Sequence, residues 1–207
     1  MQRTLIVIDE FMDNAEQIRD AALKLDFPQP PPEAYYSGRN SAQRVNLQGV
    51  AEQASRVTGE PLEPVPGTGH GKFRLTLDGD EGRGDIHIDP QCDWSGIFYL
   101  SRPVDCRGGT EFFRHKPTNM ERAPLTTAEL AQAGLRTFDD VVEKIVKPDS
   151  RDRSKWESTM LVPMKFNRLI LFRPWFWHGA GPGFGDRIEN GRLIYLLFFR
   201  RTRAKGG

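Results

Sequence analysis

The segment Arg192-Leu-Ile-Tyr-Leu-Leu-Phe-Phe199 constrains the fold more than any other stretch of the chain. Its apolar residues follow one another without the three-to-four spacing of an amphipathic helix. They also fall far short of the roughly 20 residues that a membrane span requires. The run reads as a buried strand, and a buried strand needs partners. The chain offers several short ones: Thr4–Ile8, Lys72–Asp78, Asp85–Asp89, Ser95–Ser101, Gly109–Phe113, Ser158–Pro163 and Arg168–Phe172. In Lys72–Asp78, Phe73, Leu75 and Leu77 alternate with Arg74 and Thr76, the period of a strand with two unlike faces. Short strands between Gly and Pro turns predict a mainly β chain with flanking helices, its core a sandwich or a jelly roll.

The helices fall outside that core. Ala15, Ile18, Ala22 and Leu25 predict a helix over Asp13–Leu25, which ends before Pro28, and Gln48–Thr58 is a second, closed by Gly59 and Pro61. A single domain over 1–207 is expected, with 1–66 flanking the core and 72–113 and 158–200 forming it. Residues 114–157 read as an insertion, either a lid or a helical decoration. Within them Thr126-Thr127-Ala128-Glu129 predicts a capped helix start, and Phe138–Val146 a second helical stretch.

Charge and composition remove several classes. With 29 basic and 28 acidic residues the net charge is +1, so neither nucleic acid nor a membrane surface is an expected partner. The basic residues Arg200, Arg201, Arg203 and Lys205 read as a solvated tail. Cys92 and Cys106 make neither a disulfide framework nor a zinc motif. Leu5–Ile8 is too short for a signal peptide and runs directly into Asp9 and Glu10, which predicts a cytoplasmic protein.

The chemistry-bearing residues are His87-Ile88-Asp89 and His178 in Trp-Phe-Trp-His-Gly. On a strand ended by Pro90, His87 and Asp89 would share one face while Ile86 and Ile88 turn to a core. Two histidines and one carboxylate are the ligand set that holds a metal on one side and leaves the other side open. His70 and His115 fit no such spacing. Trp94, Arg74, Arg39 and Asn40 are candidates to face the pocket or its mouth.

Taken in order, His87-x-Asp89, Gly96–Leu100, Gly108–Phe113 and Trp177-His178-Gly179 before the Arg192 strand resemble the Fe(II)/2-oxoglutarate-dependent dioxygenases, most closely their prolyl-hydroxylase-like branch. The resemblance spans about Phe73–Arg200. It implies a double-stranded β-helix core (jelly roll, cupin-like), that His87, Asp89 and His178 ligate Fe(II), and that Arg192 pairs with the distal carboxylate of 2-oxoglutarate. A planar guanidinium suits that carboxylate, and Arg187 is the competitor for the position. Tyr99 either hydrogen-bonds the same carboxylate or is a core tyrosine satisfied elsewhere. The activity implied is hydroxylation of a peptide side chain, amino acid or small metabolite at the expense of O2 and 2-oxoglutarate. Halogenation is disfavoured by the presence of Asp89. Beside this stand a cupin-like protein that binds metal or ligand without turnover, a β-sandwich in which the triad is incidental, and a zinc hydrolase, which lacks a well-placed general base. The oligomeric state is left open.

Overall fold

The computed structural model describes residues 3–202. Ten strands run through them: β1 (Leu5–Ile8), β2 (Arg39–Asn40), β3 (Leu62–Pro64), β4 (Phe73–Thr76), β5 (Trp94–Tyr99), β6 (Gly109–His115), β7 (Trp156–Pro163), β8 (Arg168–Phe172), β9 (His178–Gly179) and β10 (Arg192–Arg201). They form two antiparallel sheets. The larger is ordered β1-β8-β5-β10-β4-β2, with β3 paired to the far end of β10, and the smaller is β7-β6-β9. This is the mainly β, jelly-roll architecture expected from the strand pattern.

The run at Leu193–Phe199 lies at the centre because it can bury both faces. Alternation sends Leu193, Tyr195, Leu197 and Phe199 outward, into a core shared with helices α1 (Ala15–Ala22) and α2 (Val50–Thr58). Ile194 and Leu196 turn inward against Tyr99, Phe112, Val162, Ile170 and Phe172 between the sheets. Both helices carry the apolar stripe their spacing predicts, and α2 ends on Gly59, whose φ of 75° is the left-handed conformation a helix stop favours.

The segment between β6 and β7 holds α3 (Thr127–Gln132), then α4 (Asp139–Val141), a π-helical turn (Val142–Val146) and α5 (Lys147–Asp149). The predicted cap is present: Thr126 Oγ1 accepts from the Glu129 N–H at 3.2 Å. Leu130, Leu135, Val141, Ile145 and Val146 pack on Ile86, Phe113, Trp156 and Trp177 in a core of their own. At its base the buried His115 ring meets Asp149 at 3.0 Å.

Three expectations need correction. Asp85–Asp89 is not a regular strand: only His87 bridges, to His178, because no longer partner lies alongside. Strands β2, β3 and β9, of two or three residues each, were not anticipated, since so short a piece shows no period. Arg200 and Arg201 close β10 rather than opening a tail; Arg200 Nε donates to Glu63 at 2.7 Å and the Arg201 backbone N–H to Asp93 at 2.8 Å. Arg203 and Lys205 lie outside the described residues. No helix among the described residues is long and apolar enough to cross a membrane.

Candidate metal centre and cavity

His87 and His178 exchange both backbone hydrogen bonds: His87 N–H to His178 O at 2.9 Å and His178 N–H to His87 O at 3.0 Å. This pairing ties the 87–89 turn to β9, which in turn pairs with β6 through Phe112 and His178. Fully buried Ile86 and Trp177 anchor the two segments from behind. The Asp89 N–H donates to Pro174 O at 3.0 Å and holds the carboxylate end. The donor atoms of His87, Asp89 and His178 converge within 4.8 Å of one another.

The protonation of the two rings follows from their partners. His87 Nδ1 lies 2.8 Å from Asp85 O, and His178 Nδ1 lies 2.8 Å from Phe176 O. A carbonyl only accepts, so each Nδ1 carries the proton and each Nε2 presents a lone pair to the site. Those lone pairs face the Asp89 carboxylate, at 3.7 Å from His87 and 3.3 Å from His178. Lone pairs facing a carboxylate in a buried site repel unless a cation lies between them, and fixing Nδ1 by a carbonyl is how proteins orient a metal-binding imidazole. Burial, reinforced by the neighbouring His178, drives the His87 pKa down to about 4, which keeps its ring neutral. Burial alone would raise the Asp89 carboxyl. The neighbouring histidine rings and the Ser95 hydroxyl oppose it, and the group lies below the usual carboxylate range. Ser95 Oγ donates to Asp89 Oδ2 at 2.5 Å.

A cavity of about 80 Å³ opens on this cluster. Its walls include Ile97, Phe172, Ile194, Leu196 and Phe198, and Arg192 reaches it from the start of β10. Arg192 is 1% exposed, and its Nε and Nη2 have no hydrogen-bond partner among the described residues. A buried guanidinium without an acceptor is costly and is not expected to persist in a folded chain without a compensating ligand. Arg187, the competitor, is two-thirds exposed and faces Asp186 and Glu189 at 3.9 Å each.

Tyr99 lies two residues beyond Ile97, on the same face of β5, fully buried, with its hydroxyl 2.7 Å from Thr110 Oγ1; it is not among the residues lining the cavity. Arg74 does line the cavity, as expected for the polar face of β4. Trp94 does not. It is fully buried on the opposite face, where its indole N–H donates to Glu60 at 3.0 Å and the Arg173 guanidinium stacks on its ring. One step of strand alternation separates it from Ser95, which explains the misplacement. Arg39 sits 3.9 Å from Asp80 and Asn40 accepts from Arg74 Nε at 2.8 Å; neither lines the cavity.

Two contributors escaped the sequence reading. Ser95 carried no signal at all. Tyr36, in the Tyr35-Tyr36 turn, carried none either, yet its ring sits 4.8 Å from the His87 ring and lines the cavity. Close packing holds that turn: a side chain at Gly84 would collide with the Tyr35 ring.

A family model described as a family of unknown function (DUF6445) matches residues 86–199, more than half of the chain. The chain belongs to that family. The matched span contains His87, Asp89, Tyr99, His178 and Arg192. No curated protein matches the chain in sequence. Solved structures do match it in fold. HygX from Streptomyces hygroscopicus, with nickel, 2-oxoglutarate and hygromycin B bound, superimposes with a TM-score of 0.52 at 14% identity over 96% of this chain and 83% of its own. SnoK, a non-haem α-ketoglutarate-dependent carbocyclase from nogalamycin biosynthesis, gives 0.53 at 13% identity over 96% and 79%. SnoN, the corresponding epimerase, gives 0.53 at 12% over 97% and 78%. At such identities the likeness establishes the fold, which is that of the 2-oxoglutarate-dependent non-haem oxygenases, as the motif order predicted.

Proposed function

We propose that the chain is a non-haem Fe(II) oxygenase that couples oxidative decarboxylation of 2-oxoglutarate to oxidation, by hydroxylation, of a small molecule, amino acid or peptide side chain. One observation carries the reading: the cavity has three convergent metal donors in one wall and, on its sheet face, the unpartnered guanidinium of Arg192, with apolar residues alongside. A dicarboxylate keto acid fits that arrangement, with its keto-acid end at a metal and its distal carboxylate on Arg192.

His87 and His178 would give their Nε2 lone pairs to the metal, and Asp89 would offset one of its charges. Bound there, iron and 2-oxoglutarate supply oxidising power drawn from O2, with succinate and CO2 as co-products. Ser95 orients the Asp89 carboxylate through its hydrogen bond, so that the other oxygen is free for the metal. Arg192 binds the distal carboxylate as a planar fork. Ile97, Ile194 and Leu196 exclude water. Residues 114–157 wall a second groove through Ala123, Leu125, Phe138 and Val142; it shares Asp89 with the cavity, which supports a part for this segment in choosing the substrate.

The test is anaerobic titration of the protein with Fe(II) and 2-oxoglutarate, following the visible charge-transfer band of an iron–keto-acid chelate. A band that needs both components and disappears in His178→Ala is the expected result. Stoichiometric metal binding with no band on adding 2-oxoglutarate would overturn the reading and leave a binding protein or a zinc hydrolase.

A further inference from the structure

The cavity holds a second guanidinium that the proposed function does not use. Arg74 lies on the inward face of β4, beside Ile194 of β10, while Arg192 lies beside Thr76. It is therefore one inward-facing pair away from Arg192 along the same two strands. Its guanidinium sits over the Tyr36 ring, 4.9 Å from the centroid, and Tyr36 itself packs edge-on to His87. Arg74 thus stands beside the metal residues and points into the cavity. Its only hydrogen bond among the described residues is from Nε to Asn40, and it forms no ion pair with a described carboxylate. Burial lowers its pKa to about 10, still far above neutrality, so it is charged.

A charge count says what it lacks. Asp89 cancels one charge of a divalent metal and leaves one. Arg192 and Arg74 raise the interior to three. Asp85, also on the cavity, is already paired with Arg153 at 2.8 Å and adds nothing. The two carboxylates of 2-oxoglutarate remove two, and one positive charge remains, on Arg74. Arg74 is half-buried, and a charge held there, partly removed from water, gains most from an opposite one. On the basis of the oxygenase reading, we infer that Arg74 is a specificity residue that binds the carboxylate of the substrate, and that the substrate is a small monocarboxylic acid. Arg74 holds that acid beside the metal by a charge-assisted, two-point contact, with Tyr36 steadying the guanidinium from one face. The small cavity, shared with the cosubstrate, selects against bulky acids.

The test uses protein loaded with Zn(II) and 2-oxoglutarate, so that binding is read without turnover. Propionate, its neutral counterpart propionamide, and a short blocked peptide carrying a glutamate side chain are titrated calorimetrically. Propionate binding at least about tenfold tighter than propionamide, with that preference lost in Arg74→Gln and kept in Arg74→Lys, is the expected result. Affinity for 2-oxoglutarate, measured separately on the Zn(II) protein, stays within about twofold in Arg74→Gln, against a much larger loss in Arg192→Met. Equal binding or non-binding of propionate and propionamide overturns the inference. Binding of the peptide alone overturns the small-acid class, and loss of 2-oxoglutarate affinity in Arg74→Gln assigns Arg74 to the cosubstrate instead. Failure of wild-type protein to bind 2-oxoglutarate at all is a different result: it removes the oxygenase reading itself. Arg74→Lys keeps the test decisive should Arg74→Gln fold poorly.

Discussion

Along β10, Leu193, Tyr195, Leu197 and Phe199 face out into a dry core under α1 and α2, while Arg192, Ile194, Leu196 and Phe198 face the cavity. On the outer face every polar need is met: the one hydroxyl, that of Tyr195, donates to Val45 O at 2.6 Å. On the inner face Arg192 leaves two buried nitrogens without a partner among the described residues. The same alternation thus divides one strand into a side that stabilises the sheet and a side that holds an unbalanced charge. The difference teaches where to look for function in such a fold: at the polar group its surroundings do not satisfy.

The sharpest way to break this comparison is Arg192→Met. It should weaken 2-oxoglutarate binding by about 2–5 kcal/mol, because the distal carboxylate loses a buried charged partner. The ligand-free protein should melt no lower, since an unpaired buried charge has been removed. A lower melting temperature of the ligand-free variant would make Arg192 structural. Arg187→Ala, at an exposed loop position, is the control and should change stability by less than about 0.5 kcal/mol. The reverse pattern is expected of Leu197→Ala on the outer face: a loss of about 2–5 kcal/mol in denaturant unfolding with 2-oxoglutarate affinity intact.

Acid sharpens the contrast from the metal side. The His87 pKa is lowered by burial, and by the nearby His178, to about 4 from an ordinary 6.5. As pH falls, the unfolded chain takes up this proton first, so the stability is fully present above about 6.5 and is lost as pH drops toward 4. One pKa unit corresponds to roughly 1.4 kcal/mol, so the loss is about 3 kcal/mol in the metal-free protein. The slope difference between wild type and His87→Gln across that window measures it, and identical slopes would refute it. A smaller effect on the site is expected of Ser95→Ala. Loss of the bond that orients Asp89 should lower metal affinity by about 10- to 100-fold while leaving the fold in place. Competition with a chelator would reveal it, and unchanged affinity would show that Ser95 does not orient the ligand.

Much of this was legible in the chain. The apolar run of β10 predicted a buried strand, and the alternation in Phe73–Leu77 made Arg74 a candidate for the pocket face. His87-x-Asp89 and His178 were recognisable by residue type and order. Other parts were not. Trp94 and Ser95 are neighbours whose directions alternation sets, but the register that decides which one faces the cavity comes from pairing with β8 and β10. Tyr36 reaches His87 only through the packing of its turn on Gly84, which no periodicity announces.

By itself the sequence determined the types of donor available, the alternation along each strand and the succession of strands along the chain, because these depend on neighbours only a few residues apart. The tertiary structure decided the rest. His87 and His178 are brought together by a backbone pairing between segments remote in the chain, and two main-chain carbonyls then select the tautomer that turns both Nε2 atoms to Asp89. Arg192 rather than Arg187 faces the cavity because the sheet buries one and leaves the other in solvent. The His-Asp-His cluster, its protonation and the unbalanced charge beside it are properties of long-range packing, and packing is written in no local stretch of residues.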